Sequence, residues 1–251
     1  MPEAWIVVGA SRGIGLEFVR QLAESGTRTI AAVRNISKAD KLDELVSTYT
    51  ARGDRSLITV EECDVASEKS IAAFAGKIKT ATQTGLRVKN VILNAGMLDY
   101  PNRATEISFT SFTTHLTTNT IGPIITAQKL LSIDRSHPPE KLVFISSDSG
   151  STTLFRGHED GFAIYAATKA ALNQALRHMA EEIKREGGGT CVLALHPGEV
   201  ETDMANVDLP WEVEGVIQPL ESVEGMLKVI SEKGESDTGT FWCWDGRSHP
   251  W

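Results

Sequence analysis

Cysteine is scarce in this chain: among 251 residues only Cys63, Cys191 and Cys243 occur. An odd, widely spaced set excludes a disulfide framework and points to a reduced, cytoplasmic setting. No apolar run approaches the ~20 residues needed to cross a bilayer. The opening MPEAWIVVGAS has neither the basic region nor the long apolar stretch of a secretory leader, and predicts a strand. Positive charge is short as well, with 25 Lys and Arg against 33 Asp and Glu for a net −8. That balance argues against nucleic-acid and anionic-membrane partners, which require a cationic surface. The six histidines, at 115, 137, 158, 178, 196 and 249, show no ligand spacing with cysteines or carboxylates, so no metal site is expected. A Ser–His–Asp hydrolase is not expected either.

What is present is ordinary globular material, 41% hydrophobic and 23% charged. Short runs rich in Val, Ile and Leu read as strands at Trp5–Val8, Thr29–Val33, Leu57–Val60, Val91–Leu93, Leu142–Ile145, Cys191–Leu195 and Thr240–Trp244. Their lack of alternation suits a parallel sheet covered on both faces. Amphipathic segments lie between them, so the pattern predicts an α/β, Rossmann-type, doubly wound and mostly parallel seven-stranded sheet with helices on both faces. No linker marks a second domain, and one domain over 1–251 is expected. The stretch 199–220, with Pro210, Trp211 and Pro219, reads as a long loop excursion of the kind used for binding.

Gly9, Ser11, Arg12, Gly13, Ile14 and Gly15 follow the first strand and open the first helix. Glycines there let the backbone approach a pyrophosphate, and the helix N-terminus favours its charge. The second strand ends about 20 residues later, as a dinucleotide site requires. That end reads Val33-Arg34-Asn35, without the acid that would bind a ribose hydroxyl. Arg34 and Arg12 form a cationic clamp for a 2′-phosphate, so NADP(H) is the expected cofactor. Asp64, Val65, Asn94, Ala95, Gly96, Ser146, Ser147, Pro197 and Gly198 fall at other strand ends, where ligands of such sheets collect.

Tyr165 and Lys169 lie four apart on a helical segment, so phenol and ammonium share a face. A neighbouring cation favours the phenolate and is expected to lower the tyrosine pKa, as general acid–base work requires. A serine just upstream supplies a hydroxyl for a substrate oxygen, and spacing leaves Ser146 and Ser147 both open. In a helix expected over 105–131, Phe112, Leu116, Asn119 and Pro123 fall on one apolar face. Pro123 has no N–H for the carbonyl of residue 119, so a kink there can hold a relay water.

In this order, the GASRGIG turn, Asn94-Ala95-Gly96, Asn119, the serine strand end, Tyr165-Ala166-Ala167-Thr168-Lys169 and Pro197-Gly198 resemble the short-chain dehydrogenase/reductase family. The resemblance covers nearly the whole chain, and within the family several stretches look like the single-domain C-factor and sniffer-type carbonyl reductases. It implies NADPH-dependent reduction of a carbonyl or oxidation of the matching alcohol. It also implies Ser147 as the catalytic serine, Tyr165 as proton donor, Lys169 on the nicotinamide ribose and Asn119 in a water relay. Val200 and Thr202 are implied to lie against the carboxamide, and a homodimer or homotetramer to form through the 105–131 and 163–185 helices. Two features depart from the family pattern. Val8 stands where many members have a threonine that braces the turn, and 18 positions separate Ser147 from Tyr165 through an insertion at 154–161. Other readings on the same fold are a cofactor-binding regulatory protein and a redox-neutral isomerase or cyclase. The segments 97–104, 148–162 and 199–220 are expected to wall the pocket. Leu98, Tyr100, Leu154, Phe155, Trp211 and Ile217 suggest an apolar or aromatic carbonyl substrate.

Overall fold

Each expected apolar run becomes a strand because both of its faces are covered. In the computed structural model, which describes residues 1–157 and 159–251, these are β1 (Glu3–Val8), β2 (Thr29–Val33), β3 (Ile58–Glu62), β4 (Arg87–Leu93), β5 (Lys141–Ile145), β6 (Cys191–His196) and β7 (Thr240–Cys243). His158, one of the six histidines and part of the 154–161 insertion, lies outside the described residues. All neighbouring strands pair in parallel, in the order β3-β2-β1-β4-β5-β6-β7. Alternate residues of β1 feed opposite cores. Ile6 and Val8 pack with Phe74 of α3 (Glu68–Gln83), Leu130 of α5 (Gly122–Leu131) and Leu172 of α6 (Ala163–Arg185). Val7 packs with Phe18 of α1 (Gly13–Glu24), Leu42 of α2 (Asp40–Ala51) and Met226 of α7 (Pro219–Glu232). This is the doubly wound architecture the pattern predicted. Strand order reverses between β1 and β4, and that is where such sheets open a ligand crevice.

Two local expectations are corrected. The helix expected over 105–131 starts at Phe109, where the Ser108 hydroxyl accepts from the Ser111 N–H at 3.0 Å. It runs as α4 (Phe109–Leu116), then a wider π turn over Thr117–Ile121, then α5. In that turn the Gly122 N–H reaches back five residues to the Thr117 carbonyl. The turn accommodates Pro123, which has no N–H for carbonyl 119. It also rotates the upstream face, so Phe112 is 37% exposed while Asn119 is fully buried. The excursion after β6 is shorter than expected, because Pro219 opens α7 as a first-turn proline. Its ends are tied together: the Ile217 N–H donates to the Glu199 carbonyl and the Glu201 N–H to the Ile217 carbonyl, both at 2.9 Å. The three cysteines are buried free thiols, and no helix among the described residues is long and apolar enough to cross a membrane.

Candidate active site

The glycine turn after β1 takes a form that side chains would forbid. Gly9 has φ +88°, and a Cβ there would lie 2.6 Å from the Ala95 nitrogen. A Cβ on Gly15 would lie 2.0 Å from the Gly9 carbonyl oxygen. Asn94 donates from Nδ2 to that same oxygen at 2.9 Å, so it braces the turn where Val8 offers no hydroxyl. The α1 N-terminus behind the turn has no side-chain cap and no acid in its first turn. Its free N–H groups and positive dipole end therefore suit a phosphate anion. Ser11, Gly13 and Ile14 are half-buried along it, and Thr202 of the excursion stands against Gly13. These residues fit the pyrophosphate of a dinucleotide. Further along the same edge, Val65 is buried and the Asp64 carboxylate accepts from the Ala66 N–H at 3.0 Å. Gly96 lies beside the Asn119 amide and the Lys169 ammonium. Arg34 is exposed just past β2. Arg12 instead turns to Asp203 of the excursion, at 3.3 Å with both side chains 60% exposed.

Serine, tyrosine and lysine converge at the ends of β5 and α6. The Ser147 hydroxyl, which donates to Asp148 Oδ1 at 3.2 Å, lines the same cleft as Tyr165, while Ser146 is fully buried with its hydroxyl donated to Asn173 Oδ1 at 2.6 Å. Geometry thus separates the two serines that spacing left open. Gly150 brings the serine turn directly onto α6, since a Cβ there would meet Lys169 Cβ at 2.7 Å. Lys169 is buried, donates to the Ile145 carbonyl at 2.8 Å and stands 5.7 Å from the Tyr165 ring centroid. Burial pulls its pKa down to about 8. The expected lowering of the tyrosine pKa is not found. Burial pushes the Tyr165 phenol up to about 12; the Ser147 hydrogen bond opposes this and the Glu199 charge adds to it. Desolvation of the phenol dominates, and Lys169, losing its own charge near pH 8, gives no support to a phenolate that forms only well above that pH.

Residues that the sequence reading passed over hold this arrangement. Asn102, from the loop after β4, accepts the Ile164 N–H at 2.7 Å and so caps α6 beside Tyr165. No local side chain does so. Buried His115 accepts the Asp99 N–H at 3.0 Å and anchors the same loop. Neither residue has a sequence signal, because each partner is supplied by the tertiary fold. Asn119 accepts the Met97 N–H at 2.7 Å and donates to the Met97 carbonyl at 2.9 Å and to Thr168 Oγ1 at 3.1 Å. Its side chain is thereby an anchor between the β4 loop and α6. Asn119→Leu is expected to destabilise the protein by about 2–3 kcal/mol, because two main-chain groups lose their partner. Urea denaturation measures this.

A cleft of about 840 Å³ opens over Ser147 and Tyr165, walled by Ile14, Leu98, Phe162, Leu209 and Trp211. The apolar wall expected from sequence is corrected in part. Leu154 and Phe155 are exposed, the latter at 86%, and Tyr100 instead packs on Phe162 with centroids 5.1 Å apart. Pro197 and Gly198 also line the cleft, as do Val200 and Thr202. The 154–161 insertion enters it through Arg156, which ion-pairs with Asp148, with Glu159 at 2.6 Å and with Glu199 at 3.5 Å. Asp148, Glu199 and His196 bring ligand-type atoms within 4.8 Å of one another. Sequence spacing gave no hint of this grouping, and a guanidinium compensates its carboxylates. Burial drives the His196 pKa down to about 3, so the ring is neutral.

Comparisons agree with this geometry. The model of the family described as short chain dehydrogenase matches residues 3–212. An uncharacterized oxidoreductase of Saccharomyces cerevisiae, YKL071W, is 30% identical, over 96% of this chain and 95% of its own. The structure of an NADPH-bound carbonyl reductase from chicken fatty liver superposes with a TM-score of 0.83 at 29% identity, covering 99% of this chain and 98% of that one. The Sniffer carbonyl reductase of Drosophila melanogaster shares the fold, with a TM-score of 0.80 at 23% identity and 99% of both chains covered. The matched residues span the phosphate turn, the Ser–Tyr–Lys cluster and most of the cleft, and the chain is an oxidoreductase belonging to the short chain dehydrogenase family.

Proposed function

We propose that this protein is an NADPH-dependent reductase of aldehydes or ketones, acting as one cytoplasmic catalytic domain. The observation that carries the reading is that Ser147 and Tyr165 line one cleft with Ile14 of the phosphate turn, and that buried Lys169 stands 5.7 Å from the Tyr165 ring. Bound NADPH supplies the hydride for the carbonyl carbon. Ser147 donates a hydrogen bond to the carbonyl oxygen and orients it, and Tyr165 gives that oxygen its proton. A phenol held near pKa 12 is fully protonated at neutral pH, which is the state a proton donor needs. Lys169 would hold the nicotinamide ribose and supply positive charge near the phenolate left behind. Carbonyl 119, which Pro123 cannot serve with an N–H, holds the water that returns a proton towards Lys169. The likeness to the chicken NADPH-bound enzyme supports both the cofactor and the reaction.

Cofactor choice rests on Arg34, on the missing acid at the β2 end, and on Arg12 leaving Asp203 for the 2′-phosphate. Arg34→Asp removes a charge-assisted contact of about 1.5–3 kcal/mol and adds repulsion. The ratio of NADPH to NADH efficiency is expected to fall about tenfold or more. Unchanged cofactor preference would count against the clamp. The reaction itself is tested by NADPH consumption with a panel of aldehydes, ketones and quinones. Tight NADPH binding without turnover of any of them would transfer the assignment to a regulatory role.

A further inference from the structure

The substrate cleft carries an unbalanced charge. At its inner wall, Arg156 is the sole cation among the described lining residues, and Asp148, Glu159 and Glu199 surround it. Four more carboxylates, Glu201, Asp203, Glu212 and Glu214, stand at the mouth. His196 adds no positive charge, being neutral, and of the mouth acids Asp203 is paired with Arg12 outside the cleft. Arg156 cannot serve an incoming anion, because its guanidinium is already shared among three carboxylates. Glu199 is the least compensated of the three, with Arg156 at 3.5 Å against 2.6 Å for Glu159. Its field reaches the reacting position, since it opposes ionisation of the Tyr165 phenol. Low-dielectric walls keep such a field from being screened as it would be on an open surface.

The same cleft has an aromatic lining: Phe162 and Trp211 both face it, with ring centroids 6.3 Å apart. Ring faces attract cations through their quadrupole, and aromatic rings joined with carboxylates form a recognised surface for ammonium groups. The acidic lining and the aromatic rings both favour a cationic ligand group.

We propose that the cleft is built for carbonyl compounds carrying a cationic, ammonium-type group and turns away those carrying a carboxylate or phosphate. This rests on the reductase reading, whose substrate class it names. Glu199 is the specificity-determining residue, with Phe162 and Trp211 as the apolar face. An anionic group placed there meets several fixed carboxylates, with no unpaired cation among the described lining residues. A cationic group replaces the compensation that Arg156 supplies incompletely.

Two measurements keep the two readings apart. The first compares kcat/KM at low ionic strength for benzaldehyde, para-carboxybenzaldehyde and para-trimethylammoniobenzaldehyde with NADPH. The cationic aldehyde is expected to exceed the anionic one by about tenfold or more, mainly through KM. That ratio is expected to contract in Glu199→Gln and on adding salt. The second needs no turnover: tryptophan fluorescence follows binding of benzyltrimethylammonium and of benzoate to the full-length protein. The cation is expected to bind about tenfold tighter, again with a smaller difference in Glu199→Gln. Benzoate binding as tightly as the cation, or a preference that neither salt nor Glu199→Gln alters, would overturn the proposal. Failure to reduce any aldehyde would strike the reductase reading alone, since the titration decides the charge preference by itself.

Discussion

Tyr165→Phe is expected to lower kcat/KM for carbonyl reduction by about 10²–10⁴-fold, the usual worth of a positioned general acid. NADPH binding, read by fluorescence titration, is expected to stay within a few-fold of wild type. The contrast follows from the packing. Phenylalanine keeps the ring that fills the cleft floor beside Ser147, and removes only the oxygen from which the proton leaves. A loss in both measurements would mean that the phenol holds the cofactor rather than the reacting carbonyl. Equal activity in the two proteins would remove Tyr165 from the chemistry. The starting pKa of about 12 sharpens this prediction. The phenol holds its proton across the range in which the enzyme can be assayed, so no limb of the pH profile should belong to Tyr165.

Lys169→Met carries the second large effect. Methionine fills similar space but offers no charge to the phenolate that forms when Tyr165 gives up its proton, and no donor to the cofactor ribose. Activity is expected to fall about 10²-fold or more, with weaker NADPH binding, which separates this variant from Tyr165→Phe. The pH dependence has a definite sign. Burial sets the Lys169 pKa at about 8 in the cofactor-free protein, so the side chain is charged below that pH and neutral above it. The profile of kcat/KM for NADPH reports groups of the free enzyme. It is expected to be level near neutrality and to decline above about pH 8 as the charge is lost. In Lys169→Met the plateau is lower and this alkaline limb is gone. A limb that survives the substitution would assign it to another group.

The two corrections in the site have one origin. Sequence spacing puts Tyr165 and Lys169 on one helical face, and from that face a lysine-lowered tyrosine pKa was expected. The spacing cannot report that the phenol loses its water, nor that burial pulls the lysine pKa down to about 8. Likewise, Phe112, Leu116, Asn119 and Pro123 share a face only if the helix is regular, and the π turn at Thr117–Ile121 rotates that face. In both cases the local pattern was read correctly, and a non-local energy term decided the outcome.

Other parts were legible because their physics is local. Glycines placed between a strand and a helix can form only a few turns. A strand buried on both faces needs an uninterrupted apolar run. The Pro123 ring removes an N–H wherever it occurs. From such features the seven-stranded parallel sheet, the phosphate turn and the Tyr165–Lys169 pair could be read along the chain, while Ser146 and Ser147 stayed open. Tertiary structure alone decided the rest: Asn102 capping α6 from a loop 62 residues away, Asn94 bracing the glycine turn, Arg156 meeting Asp148 and Glu199, and the charge of the cleft. Backbone conformation is set by neighbours within a few residues. Electrostatics and desolvation depend on which groups meet in space, and that is fixed only when the sheet brings its strand ends together.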